Sequence, residues 1–560
     1  MPRLIVSAPA EGPLVVSPEG LSFWGGVDAK TGVVIDAHHP LQGQSLAGKI
    51  VMMPTSRGSC SGSGVLLELA MNGKAPAALV FHKHEDILTL GALIATRMFG
   101  CPVAVLRLPV ADYDRLASKA SARLDDRRLT AEGLSLGLNA VTAEALQLSD
   151  QDTRDLRGAQ GPAVKLAFEM LCTMAAVQGA EKLIDVTRAH IDGCIYAGPA
   201  NLVFAQKMQA MGARVRIPTT MNAISVDREN WQRQGVPPVF GTPASQLADA
   251  YVQMGATPNF TCAPYQAEDA PTLGEAIGWS ESNAVVYANS VLGARSEKHP
   301  DFLDLFIALT GRAPLSGVYR PQNRVAQLVI DVDLPPTHDE ALWPMLGWLA
   351  GQMAPDCIPL LTGLDASAPS PDDLRALCAA FGTTSAAPML HVAGVTPEGG
   401  LAPAPDAKRL TLTRADLVRA WQEFNTGSDK IDLVALGSPH FSLAETRVFA
   451  GLMKGRLRHP RTPVIITMGR ESRAAAQSEG LVAQLEGAGV RFVSDLCWCS
   501  ITEPVFPPEA ETLMTNSGKY AHYAPGLSGR RVRFGSLAQC ADAAETGTAQ
   551  RALPAWLREP

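Results

Sequence analysis

KIDLVALG (430–437), SLAETRVFAGLMKG (442–455), TPVIITMG (462–469), SRAAAQSEGLVAQLEGAGV (472–490) and RFVSDLC (491–497) follow one another with little between them. The first, third and fifth are short apolar runs bounded by Gly, Pro or charge, as buried strands are. The second and fourth read as helices. Strand alternating with helix favours parallel pairing in an α/β layer. The rhythm extends upstream: QGPAVKLAFEMLCTMAAVQGA (160–180) reads as a helix, LIDV (183–186) as a strand entering a loop, and LVFAQKMQAMGARVRIPTT (202–220) as helix, Gly turn and strand. Nearer the N-terminus, LIVSA (4–8), PLVVS (13–17), GVVID (32–36), KIVMMP (49–54), AALVF (77–81) and PVAVLRL (102–108) read as strands. Between them, GVLLELAMNG (64–73) and ILTLGALIATRMFG (87–100) read as helices closed by Gly73 and Gly100. The charged stretch ADYDRLASKASARLDDRRLTAEG (111–133) reads as a solvated helix plus linker, so a domain boundary is expected within 111–140.

Composition narrows the function classes. The chain has 560 residues, enough for several domains, with 46% hydrophobic and 18% charged residues, an ordinary globular balance. The net charge of −7 argues against non-specific nucleic-acid binding, which needs a basic field. No run of about 18 apolar residues and no signal-peptide pattern is read, so no membrane span and a cytoplasmic location are expected. The ten scattered cysteines are too sparse for a disulfide scaffold and are expected to be reduced, mostly as core residues.

Five places hold residue types that do chemistry. In SRGSCSGSGV (56–65) the glycines let a backbone turn tightly before a helix N-terminus, Ser59, Ser61 and Ser63 supply hydroxyls, and Arg57 suits a carboxylate. The same loop also fits a simple capped turn, and it is not a Walker A loop. In AHIDGCIYAG (189–198), His190 and Asp192 are read on a loop, as an acid/base pair or as locally hydrogen-bonded groups. FTCAPY (260–265) places Cys262 in extended chain before Ala-Pro, and ESNAVVYANSVLGAR (281–295) offers Asn283 and Arg295 on one polar helix face. In SPHFSLAE (438–445), Ser442 and Glu445 have capping-box spacing. Cys497 and Cys499 form C-x-C after a strand, which is not a zinc-knuckle spacing. By themselves these features reach only a multi-domain α/β enzyme, metal-dependent or not.

Read together, the strings resemble a family. LSFWGGVD (21–28), HPLQGQSLAGKI (39–50) and RGSCSGSGVLLE (57–68) resemble the swivel domain, or small subunit, of aconitase X. LIDVTRAHIDGCIY (183–196), RIPTTMNAISVD (216–227), MGATPNFTCAPY (254–265), WSESNAVVYANSVLGAR (279–295), HVAGVTPEG (391–399) and LGSPHFSLAE (436–445) resemble its large subunit. Both parts on one chain resemble the fused type I members, which look like cis-3-hydroxy-L-proline dehydratases. The two-subunit type II members include phosphomevalonate dehydratases.

The resemblance implies a small N-terminal swivel-type α/β domain at 1–125, a linker at 126–140 and a large aconitase-like α/β region at 141–560. It implies a hydro-lyase acting on a small hydroxy acid, with Ser59 as base, Arg57 and His190 in support, and Ser61, Ser63, Asn283 and Arg295 around the substrate. It implies iron bound by Cys262 and Cys497. Ser438 stands where the two-subunit members have a cysteine, so a cubane with three cysteines is not expected. Cys357 is taken first as the third ligand, ahead of Cys194 and Cys499, in a [2Fe–2S] cluster in preference to [4Fe–4S], or with a mononuclear iron. No nucleic-acid or membrane partner is expected, and the oligomeric state is left open. The competing readings are a dehydratase of a phosphorylated hydroxy acid and a non-catalytic ligand- or RNA-binding protein on the same shell.

Overall fold

A computed structural model describes residues 1–335, 337–364 and 367–558. Among these, the N-terminal lobe builds a nine-stranded sheet. Its centre is parallel: Ala10–Val16, Ile50–Met52, Ala78–Phe81 and Ala104–Arg107 pair in that order. Helices Gly62–Met71 and Ile87–Phe99 make two of the crossovers. Strands buried on both faces need no alternation, which is why they read as continuous apolar runs. Gly100 closes the second helix with φ 66°. Asn72 caps the first, and Gly73 takes the left-handed turn one residue later. GVVID, expected as a strand, contributes only isolated bridges such as Val33 to Ser45.

The expected linker is not one. After helix Val110–Ala117 come strands Ser121–Asp125, Arg128–Ala131 and Leu134–Gly137, an antiparallel meander on the edge of the sheet. Asn139–Ala140 then pairs with Arg3–Leu4 at the other edge. Residues 126–140 therefore belong to the first lobe. The cause is a period-2 pattern inside a charged stretch. Ala122, Leu124, Leu129, Leu134 and Leu136 are buried, and the charges between them face water. Charge density drew the sequence reading to a linker, whereas alternation decided the structure.

The rest is α/β throughout. A three-stranded parallel sheet runs Thr219–Met221, Ala189–Ile191, Gly278–Trp279. A four-stranded parallel sheet follows, built on Leu328–Val332. The stretch 430–497 supplies the three strands anticipated from its rhythm to a five-stranded sheet ordered Val490–Val493, Val464–Thr467, Leu433–Leu436, Thr512–Thr515, Arg531–Phe534, all parallel; the last two strands lie beyond that stretch. Strand order reverses beside Leu433–Leu436, and such a switch point opens a crevice at the C-terminal strand ends. Helix Pro162–Gln178 ends at left-handed Gly179, and Ser442 with Glu445 forms the expected capping box.

One apolar cluster runs unbroken from Leu66 and Leu93 of the first lobe through Phe204 and Phe302 to Trp348. The lobes are also joined by polar contacts. Ala200 N donates to Glu68 Oε2 at 2.8 Å, and the buried Lys298 ammonium donates to the carbonyls of Gly58 at 2.7 Å and Ser385 at 3.1 Å. No helix among the described residues is long and apolar enough to cross a membrane.

Candidate active site

Three parallel sheets end at one enclosed cavity. Its walls include Trp24, Ser59, Ile195, Asn222, Cys262, Glu281, Cys497, Cys499, Lys519 and Tyr523. Ser59 follows strand Ile50–Met52 of the first lobe. Asn222 and Glu281 follow two strands of the three-stranded sheet, and Asp192, at the end of the third, lies behind them. Cys497, Cys499 and Lys519 follow two strands of the five-stranded sheet. The hydroxyl from the front lobe and the thiols from the rear thus meet across one cleft. A roomier surface cleft lies elsewhere, beside Gln266, Asp269, Arg470 and Glu471, and no thiol lines it.

The Ser59 loop is shaped by close approach. Gly58 has φ +82°, and a Cβ there would lie 2.4 Å from Ser22 Oγ, so only glycine fits. Ser59 Oγ donates to Ser61 Oγ at 3.3 Å and accepts from the Ser61 amide at 3.3 Å. Ser61 Oγ donates to Asp192 Oδ2 at 3.2 Å. Ser63 donates to the carbonyls of Cys60 and Asp301, which fixes the loop and spends its hydroxyl. Arg57 turns away from the cavity to pair with Glu19 at 3.3 Å and Asp36 at 3.5 Å.

On the rear side Cys262, Cys497 and Cys499 line one wall together. The two neighbouring thiols, with Lys519 and His440 nearby, hold the Cys497 thiol well below the usual range, whereas burial pushes Cys262 up and the neighbouring Cys497 pushes Cys499 up. Cys497 is the thiol of the three that ionises most readily. The His440 amide donates to Cys262 Sγ at 3.2 Å, while its ring bridges Thr261 Oγ1 at 3.1 Å and the Leu496 carbonyl at 3.0 Å. Burial keeps that ring neutral, so it can accept from Thr261 and donate to Leu496. His440 thereby ties the loop of Cys262 to the loop of Cys497. Ser438 Oγ lies 3.8 Å from Cys497 Sγ and 4.0 Å from Cys499 Sγ.

Lys519 and Glu281 form a buried ion pair at 2.8 Å. Burial alone would lower the Lys519 ammonium, but Glu281 and the thiols hold it well above its ordinary value. Asn222 donates to Glu281 Oε2 at 3.0 Å and to Asp192. Asn283 donates to the Cys262 carbonyl at 3.0 Å and accepts from Tyr265 at 2.9 Å, so it supports the thiol loop from behind.

The donor set suits an iron–sulfur group. The sulfurs are soft, the Cys497 thiol is biased toward ionisation, and none is in a disulfide. Among the described residues no group of three or more His, Cys, Asp or Glu is spaced to hold one metal ion. The ligands available are Cys262, Cys497 and Cys499. Cys357, taken first from sequence, is a half-buried loop residue next to Asp356, which pairs with Lys83, and it does not line the cavity.

His190 is also corrected. It lies within strand Ala189–Ile191, not on a loop, with Nδ1 2.7 Å from Thr220 Oγ1, and burial pushes its pKa down to about 4. The ring lies outside the cavity wall, with Nε2 buried and unpartnered. Arg295 pairs through its backbone with Ala276 and Ile277 and is likewise outside the wall. Sequence reasoning missed Lys519, Glu281, Asn222 and Tyr523. The signal for Asn222 and Glu281 was their place inside strings that carried the resemblance; Lys519 and Tyr523, in SGKYAHY (517–523), had none.

Comparison with known proteins now has a geometry to meet. Family models describing the aconitase X swivel, first, second and third domains match residues 2–132, 145–322, 326–422 and 431–546. The chain belongs to the aconitase X family. Its first lobe is the swivel domain, followed by the three domains of the large region. It is 49% identical over 577 residues to the cis-3-hydroxy-L-proline dehydratase of Pseudomonas aeruginosa, covering 100% of this chain and 98% of that one. It is 46% identical over 572 residues to the enzyme of the same name from Hypocrea jecorina, covering 99% and 96%. The crystal structure of Thermococcus kodakaraensis aconitase X (holo-form) superposes with a TM-score of 0.65 at 28% identity, covering 71% of this chain and 100% of that one.

Proposed function

We propose that this aconitase X protein is a hydro-lyase that removes water from cis-3-hydroxy-L-proline to give Δ1-pyrroline-2-carboxylate, with Ser59 as base and an iron–sulfur cluster on Cys262, Cys497 and Cys499. The observation that carries the reading is the shared cavity, where the Ser59 hydroxyl of the swivel domain faces three thiols contributed by the first and third domains. When bound, the cluster supplies Lewis-acid pull on the C3 hydroxyl. The chain's own residues do the rest. Lys519 and Glu281 present one cation and one anion, which match the carboxylate and the ring ammonium of a zwitterionic imino acid. Ser59, with the Ser61 amide directed at its oxygen, takes the C2 proton. The product enamine then tautomerises to the imine. Trp24, Ile195 and Tyr523 wall the cavity and exclude water.

The same ion pair weighs against a phosphorylated substrate. A phosphate would call for an excess of cations, and here the cavity's Lys519 is balanced by Glu281. The decisive experiment is a coupled assay of anaerobically purified protein with cis-3-hydroxy-L-proline. Turnover with visible absorbance and bound iron is expected. A colourless, iron-free protein without turnover would overturn the reading.

A further inference from the structure

Serine is a poor base, because its alcohol pKa lies far above neutrality. It can remove a proton from carbon only if its own proton has somewhere to go. The cavity wall supplies a route. Ser59 Oγ donates to Ser61 Oγ, and Ser61 Oγ donates to Asp192 Oδ2, so both hydroxyls point their hydrogens away from the substrate space toward a carboxylate of another domain. Ser61 is the N-cap of helix Gly62–Met71, yet its hydroxyl makes no capping bond. A serine at this position ordinarily spends its oxygen on the helix. Here it faces the acid.

We propose that Ser61 and Asp192 are the positioning residues of a proton relay that turns Ser59 into a base and holds the proton taken from the substrate. The inference rests on Ser59 being that base. As the C2–H bond breaks, its electron pair becomes the C2=C3 bond and the C3–O pair leaves with hydroxide. The C2 proton joins Ser59 Oγ, the Ser59 proton moves to Ser61, and the Ser61 proton moves to Asp192. The hydroxide and the proton held by Asp192 together make up the water lost. The carboxyl returns its proton along the same two hydroxyls as the product leaves.

The surroundings of Asp192 fit that task. It is fully buried, and the neighbouring Asp301, also buried, has a carboxylate oxygen without a partner. Asp304 accepts from the amides of Asp192 and Gly193 at 2.7 and 3.2 Å and fixes the backbone. Glu281, Cys60, Cys194 and Tyr251 also face this pocket, and Asn222 donates to Asp192 from the side. Burial first, and then Glu281, push Asp192 up to about 7, where it can take and return a proton near neutral pH.

The test compares Ser59→Ala, Ser61→Ala, Ser61→Thr and Asp192→Asn as iron-loaded protein. Ser59→Ala abolishes turnover if the base reading holds; wild-type rates there would remove that reading and the relay with it. Given an inactive Ser59→Ala, Ser61→Ala is expected to lower kcat by about 100-fold with KM changed less than about twofold. Ser61→Thr, which keeps the hydroxyl, is expected to recover most of that loss. Asp192→Asn is expected to slow kcat similarly and to erase an acid limb near pH 7 from the kcat/KM profile. Ser61→Ala within about twofold of wild type, or equal losses in the alanine and threonine variants, would overturn the relay and leave Ser59 untouched. Should Ser61→Ala fail to fold, an unchanged acid limb in Asp192→Asn overturns it.

Discussion

The loop that carries Ser59 and the loops that carry the thiols both begin at the C-terminal ends of parallel strands, yet they are held by opposite means. The front loop is neutral: glycine, serine hydroxyls and backbone amides shape it, and its Arg57 is spent on Glu19 and Asp36 away from the cavity. The rear loops carry the charge: the readily ionised thiol of Cys497 and the Lys519 ammonium, with His440 as a neutral strut between the loops of Cys262 and Cys497. The buried cation that reaches the front loop, Lys298, binds the Gly58 carbonyl and not the Ser59 hydroxyl. A cluster needs thiolates that stay ionised, which a buried lysine secures.

The largest effect should come from the rear side. Cys497→Ala removes the most readily ionised of the three thiols, and bound iron and visible absorbance should disappear together. Turnover should fall at least about 1,000-fold, since Lewis-acid assistance supplies several kcal/mol. Retention of iron by metal analysis would break the contrast. Next is Lys519→Met, which strands Glu281 and the sulfur without a cation. Turnover should fall by about 100-fold and unfolding free energy by about 3–5 kcal/mol. Adding Glu281→Gln should recover part of the stability and none of the activity, as read by denaturant titration and assay of the same preparation.

A smaller effect concerns His190. Its pKa is depressed from 6.5 to about 4, so the folded state prefers the neutral ring. The associated stability is present above pH 6.5 and is lost as pH falls toward 4, on the order of 3 kcal/mol for a fully buried ring. His190→Gln should flatten that acid-side loss in thermal melts at a series of pH values and leave kcat within a few-fold of wild type. A variant with no turnover would return His190 to the site. The smallest effect is expected at Cys357: Cys357→Ser should match wild type in iron content and rate, and loss of iron there would displace Cys499 as the third ligand.

Much of the fold could be read because parallel strands and amphipathic helices leave local traces. The run from Lys430 to Cys497 and the helix Pro162–Gln178 are such cases. The meander at 121–137 was hidden because alternation in a charged segment leaves only every second residue apolar. In the site, Ser59, Cys262 and Cys497 stood out by residue type in quotable strings. Lys519 did not, because its partner Glu281 is 238 positions away and neither residue is distinctive where it stands. Choosing Cys357 over Cys499 had the same root. Proximity across the fold, set by the reversal of strand order at Leu433–Leu436, decides which thiol reaches the cavity.

Lys298 has a mechanical consequence. Its ammonium sits between the Gly58 carbonyl of the swivel domain and the Ser385 carbonyl of the second domain. Drawing the lobes apart would break one of the two bonds that a buried cation makes, a costly step. The lysine therefore pins the swivel domain to the second domain.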